Sequence, residues 1–174
     1  MNCYTWMLYA AMIKDYYIFA ANFPGFILGL FYSFSSLVVL SQSKSQSDSV
    51  MYSRLENLIL VGSTYFCFLS MHVGITLDAS QAEYGRNLVA YSGIVCCTCY
   101  YAAPCTDIAQ ILRTKNASSL YPPMLIANGA NASLWMTYGY FTLKDSFVYG
   151  PNFVAVVLVC FQFSLVCIYG RTTH

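Results

Sequence analysis

Eight cysteines and two histidines are the residues of this 174-residue chain best suited to hold a metal or form a redox pair. Cys96 and Cys99 have the C-x-x-C spacing of a zinc site or a dithiol, but no second pair at ligand spacing and no nearby His completes a tetrahedral set. His72 lies in an apolar run and His174 ends the chain, each without a partner in sequence. The cysteines sit within apolar stretches, as in Ile94-Val95-Cys96-Cys97-Thr98-Cys99-Tyr100 and Val159-Cys160-Phe161, and read as small packing residues. Neither a metal nor a cofactor is expected.

The composition explains where those cysteines sit. Hydrophobic residues make up 58% of the chain, aromatics 17% and charged residues 9%, against roughly a quarter charged in an ordinary soluble domain. Lipid is the expected solvent, and a soluble enzyme is excluded. With 8 Lys+Arg against 7 Asp+Glu there is no basic face for a phosphate backbone, so nucleic acid is not an expected partner. The start lacks the positive region of a signal peptide and the first charge is Lys14, so no cleaved leader is expected.

Apolar segments run over 16–40, 55–77, 87–112, 120–141 and 147–170, each long enough to span a bilayer. Residues 2–13 form a sixth apolar piece. At about 1.5 Å per residue it reaches about 18 Å of a roughly 30 Å core, and it reads as the end of a helix whose beginning lies upstream. The connections are polar: 41–54 is Ser/Gln-rich, 78–86 carries mixed charge, 113–119 is basic and 144–146 is a tight turn. Alternating sides puts Lys44, Arg54, Arg113, Lys115 and Arg171 together, and Lys14, Arg86 and Lys144 opposite. The richer set is expected on the cytosolic side. Asp107 then falls near the cytosolic end of its helix and reads as an interfacial carboxylate rather than a proton relay. The Asn-x-Ser triplets at Asn116 and Asn131 fall inside the cell and within the membrane, and are expected to stay unglycosylated.

Comparing the chain with itself reveals a duplication. Asn2, Trp6, Met7 and Tyr9 recur 129 residues later as Asn131, Trp135, Met136 and Tyr138. One inserted residue then shifts the register, and Lys14, Asp15, Asn22, Phe23, Leu28 and Phe31 recur at an offset of 130 as Lys144, Asp145, Asn152, Phe153, Leu158 and Phe161. Apolar matches follow from composition, but Trp, then Lys-Asp, then Asn in one order does not. Four crossings separate the copies, so they point the same way, as in transporters with parallel repeats whose substrate site lies near the midplane. The fold class is therefore all-α transmembrane: two parallel three-helix-bundle repeats joined by a linker helix, the first repeat incomplete, with five full spans plus a partial one. The divisions are 1–40, the remainder of the first repeat; 41–86, a loop and the linker helix; 87–170, the complete second repeat; and 171–174, a cytosolic tail.

The repeat resembles the SWEET family of sugar transporters. The matching stretches are Lys14 through Gly25, Leu28-Gly29-Leu30-Phe31-Tyr32, Tyr101-Ala102-Ala103-Pro104, Trp135-Met136-Thr137-Tyr138-Gly139 and Pro151-Asn152. The resemblance implies passive, bidirectional movement of mono- or disaccharides by rocking of two three-helix bundles, without ion coupling. It places the family's paired pocket asparagines at Asn22 and Asn152, its pocket tryptophans at Trp6 and Trp135, and the positions one turn before them at Asn2 and Asn131. Amides can bridge sugar hydroxyls, and an indole face can stack on the C–H face of a pyranose. It places an extracellular gate at Lys14, Asp145 and Tyr138, and hinge prolines at Pro104 and at Pro122 or Pro123, where a missing N–H frees a carbonyl and permits bending.

The chain departs from the family pattern in lacking the first helix and most of the second, so transport by the chain alone is expected to be impaired. The expected partners are a sugar, the lipid bilayer and related transporter chains in a homo- or hetero-oligomer. The expected location is the plasma membrane or an endomembrane. Two rivals stand beside this reading. One is a non-transporting membrane protein that pairs with a full-length transporter. The other is a duplicated three-helix carrier or receptor for amino acids or sorting signals, against which the paired tryptophans argue.

Overall fold

A computed structural model describes residues 2–43, 45–76 and 82–170. The expected tail 171–174, His174, and the charges of Lys44, Asp78 and Arg171 lie outside the described residues. Six α-helices follow in order: α1 (Asn2–Ile13), α2 (Tyr16–Gln42), α3 (Gln46–Thr76), α4 (Ala82–Thr114), α5 (Pro122–Thr137) and α6 (Ser146–Tyr169), with a π-helical turn, Tyr138–Leu143, after α5. No strand occurs among the described residues. Four of the helices, α2, α3, α4 and α6, are long and apolar enough to cross a membrane.

Three of the expected boundaries move, the first being the mixed-charge connection expected over 78–86, which is helical from Ala82 with Glu83 in its first turn. The Ser/Gln-rich stretch expected as a loop is helical from Gln46. It contains neither Gly nor Pro, and its first turn is organised by Ser43, whose hydroxyl donates to the Asp48 carboxylate. Hydropathy sees only the apolar part of such a helix. The expected span over 120–141 is divided, changing from α to π winding at Tyr138.

That change has a covalent cause. The corner between α1 and α2 closes with the Asp15 N–H donating to the Ala10 carbonyl at 2.9 Å, five residues back. Its counterpart closes with the Asp145 N–H donating to the Gly139 carbonyl at 3.0 Å, six residues back. A π turn takes up one extra residue without rotating the helix beyond it. The shift in repeat offset from 129 to 130 falls within this turn.

The chain divides into two compact units, residues 1–93 and 94–174, with α4 straddling the boundary. In the first, α1 packs on α2 and α3. It buries Thr5, Trp6, Met7, Tyr9 and Ala10, while α3 adds Leu69 and Val73 and α4 adds Val89 and Ala90. Hydroxyl pairs tie the helices: Tyr4 to Ser70, and Tyr65 to Ser92. Of α2 only Ile18 is buried, so its apolar surface faces outward on nearly every side, the pattern of a helix whose solvent is hydrocarbon.

In the second unit α5 packs on α6. Ile111 of α4, Ala117, Leu120, Leu125 of α5 and Leu165 of α6 form its core. At the other end Gly139 touches the start of α6 so closely that a Cβ there would lie 2.8 Å from the Tyr149 nitrogen. At that corner only glycine fits.

Candidate functional site

Each candidate asparagine is positioned by an aspartate-capped helix start. In the first unit Asp15 caps α2, its carboxylate accepting the Ile18 N–H at 2.8 Å. One turn on, the Asn22 side-chain nitrogen donates to the Ile18 carbonyl at 2.8 Å. In the second unit Asp145 caps α6, accepting the Phe147 N–H at 2.9 Å. There the Asn152 nitrogen donates to the Val148 carbonyl, also at 2.8 Å. Ile18 and Val148, which carry those carbonyls, are both buried. Because a carbonyl only accepts, the amide orientation is chemically fixed in both cases. Each asparagine therefore keeps one N–H and its own oxygen for another partner.

The tryptophans repeat with one difference. Trp6 stands edge-on to Tyr9, ring centroids 5.8 Å apart and planes at 89°, and Trp135 to Tyr138 at 5.8 Å and 81°. Trp6 is buried, 8% exposed. Its six-membered ring lies about 3.5 Å from where a Cβ on Gly93 would be, and its indole N–H donates to the Asn2 side-chain oxygen at 3.0 Å. Trp135 is half-buried and Asn131 exposed. The one-turn pairing of Asn with Trp is thus a hydrogen bond in the first unit.

Among the gate candidates, Lys14 is exposed and Asp145 half-buried, and Tyr138 opens the π turn. Asp145 has a structural task as the α6 cap, shared by Asp15 at the equivalent corner. The prolines separate into two kinds. Pro104 lies inside α4, where its ring frees a carbonyl, and the neighbouring Thr106 hydroxyl donates to Ala103 O at 2.7 Å. Pro122 and Pro123 occupy the first turn of α5. First-turn N–H groups have no acceptor within the helix, so the freed-carbonyl argument for a hinge does not apply to these two. They start the helix instead.

The eight cysteines are free, and the packing expectation for them holds at few positions. Cys97 is buried, Cys3 and Cys96 are half-buried, and the other five are exposed on helices. Among the described residues no three His, Cys, Asp or Glu side chains converge.

Two features escape sequence reasoning. One is the hydrogen bond from the Tyr101 hydroxyl of α4 to the Pro151 carbonyl of α6, 2.7 Å, joining residues 50 apart in the chain. The other is the π turn, whose signal was the one-residue change of offset.

The helices that carry all of these residues are also the part of the chain that a family model matches. The family model described as "Sugar efflux transporter for intercellular exchange" matches residues 1–44 and 87–174. The chain belongs to that family, the SWEET sugar transporters. Similar proteins include the sugar transporter SWEET1 of Drosophila pseudoobscura pseudoobscura, 26% identical over all of this chain and 72% of its own length. The SWEET1 of Dictyostelium discoideum is 22% identical over 97% of this chain and 73% of its own length. The bidirectional sugar transporter SWEET8 of Arabidopsis thaliana is 24% identical over 99% and 71%. This SWEET chain is an integral membrane protein of a transporter family, not an enzyme. The stretch outside the family match, residues 45–86, contains α3, which carries none of the candidate site residues.

Proposed function

We propose that the chain takes part in passive, bidirectional passage of a mono- or disaccharide across a membrane, by alternating access of two parallel three-helix repeats. The observation that carries this reading is the doubled corner. In each copy a Lys-Asp turn caps a helix, an asparagine seven residues after the aspartate is anchored to the carbonyl one turn back at 2.8 Å, and a Trp–Tyr pair precedes the turn. Anchoring leaves each amide one donor and one acceptor, which suits a vicinal diol whose hydroxyls both donate and accept. A stacked indole complements the apolar sugar face.

In this reading Asn22, Asn152, Trp6 and Trp135 contact sugar, with Asn2 and Asn131 beside the tryptophans. Lys14, Asp145 and Tyr138 close the outer mouth, and Pro104 allows α4 to bend. Assembly with related chains belongs to the same reading. The proposed location is the plasma membrane.

The test is flux of labelled glucose and labelled sucrose in vesicles holding the chain, with Asn22→Ala and Asn152→Ala beside it. A desolvated site that loses a hydrogen-bond partner leaves a hydroxyl unpaired. Each variant is expected to lose most saturable flux at unchanged membrane abundance. Full flux in either variant removes that asparagine from the site.

A further inference from the structure

α6 has a weak point one residue before Asn152. Pro151 lies inside the helix and supplies no N–H to the turn before it, and Gly150 precedes it. Such a Gly–Pro step is where a helix bends. The first copy places its proline differently: at an offset of 130 the matching residues of α2 are Ala20 and Ala21, and the proline inside α2 is Pro24, two residues after Asn22. The two asparagines nevertheless make the same 2.8 Å bond to the carbonyl one turn back.

The second copy has an outside support at its proline. The Tyr101 hydroxyl donates to the Pro151 carbonyl at 2.7 Å. Tyr101 belongs to α4, is half-buried, and its ring packs edge-on to Tyr100 at 6.1 Å and 66°. Its bond therefore reaches α6 at the residue where the backbone ladder is interrupted. A buried phenol without an acceptor would itself be costly, so the bond holds both partners in place.

We propose that Tyr101 is a positioning residue for sugar recognition: by holding the Pro151 carbonyl it fixes the bend of α6 and thereby the direction of the Asn152 amide. It touches no sugar. The inference rests on the reading of Asn152 as a sugar contact. The role is argued for this copy, where the proline immediately precedes the asparagine and its carbonyl receives the Tyr101 hydroxyl.

The test is concentration-dependent flux of labelled glucose and labelled sucrose in vesicles holding the full chain, comparing Tyr101→Phe with Asn152→Ala. Phenylalanine keeps the ring and removes only the donor. The expected result is a half-saturating sugar concentration raised roughly twofold to tenfold, the effect of one hydrogen bond, with abundance unchanged and flux at saturation within about twofold of the parent. If Asn152→Ala abolishes flux while Tyr101→Phe leaves half-saturation unchanged, or lowers only abundance, the positioning role is overturned and the sugar site stands. Full flux in Asn152→Ala removes the site reading and the positioning role with it.

Discussion

The indole N–H of Trp6 is bonded to the side chain of Asn2, one helical turn back, at 3.0 Å. That donor is occupied and the ring is set against Gly93, so in the proposed sugar site Trp6 would contribute its ring rather than its nitrogen.

Stability follows from that bond. Asn2→Ala strands a buried donor, and a loss of about 1 kcal/mol is expected, read as a lowered melting temperature in detergent. Asn131→Ala, at the exposed matching position of the second copy, is expected to leave melting unchanged. Equal losses at both positions would contradict the difference between the copies.

The gate prediction is shaped by the cap. Asp145→Lys removes the α6 cap along with a charge, costing about 1 kcal/mol for the cap alone, so a plain charge swap confounds two effects. Asp145→Asn keeps a capping oxygen and removes only the charge. Paired with Lys14→Gln in a double-mutant cycle on flux, it is expected to give less than the sum of the single losses. Additive losses would mean that the two side chains do not couple.

The π turn predicts an unusual tolerance. Deleting Thr142 gives the second corner the residue count of the first, which closes five residues back rather than six. Abundance and helicity are expected to be retained. Deleting Val156 in α6 turns everything beyond it by about 100° and is expected to abolish accumulation. Equal damage from both deletions would sink the equivalence of the corners.

Orientation is testable by labelling single cysteines in a cysteine-free background. A cysteine at 118 is expected to react from the cytosolic side and one at 145 from the opposite side, following the basic excess around 113–119. Reaction of position 145 from the cytosol alone would reverse the arrangement.

Much of this was legible in the residues. Helices such as α2 and α6 announce themselves because a chain solvated by lipid is apolar on every face, so length and hydropathy suffice. Asp145 was expected at a gate and within the 144–146 turn; its capping of α6, like that of α2 by Asp15, came only with the structure. The doubled Trp, Lys-Asp and Asn pattern stood out against a composition that makes apolar matches cheap. Other features depended on distance in the chain. Burial of Trp6 needs Gly93, and the Tyr101 bond needs the Pro151 carbonyl of another helix; neither leaves a periodic trace. The helix from Gln46 was hidden because hydropathy stops where a helix leaves the bilayer. The cysteines misled because smallness is compatible with an outward position as well as an inward one.

The three described lysines, Lys14, Lys115 and Lys144, are also the only described non-glycine residues with positive φ, at 57°, 55° and 55°. Each follows the last residue of a helix, where its backbone turns left-handed and where the negative end of the helix dipole favours a cation. Orientation in the membrane and termination of helices therefore draw on the same side chains. In the proposed orientation Lys14 and Lys144 count against the cytosolic excess, and both stand at points where the chain must stop winding. Glycine would stop it with less strain. A chain with glycine at both positions would thus be more relaxed at its corners and more one-sided in charge, so the ambiguity in its topological signal originates in how its helices end.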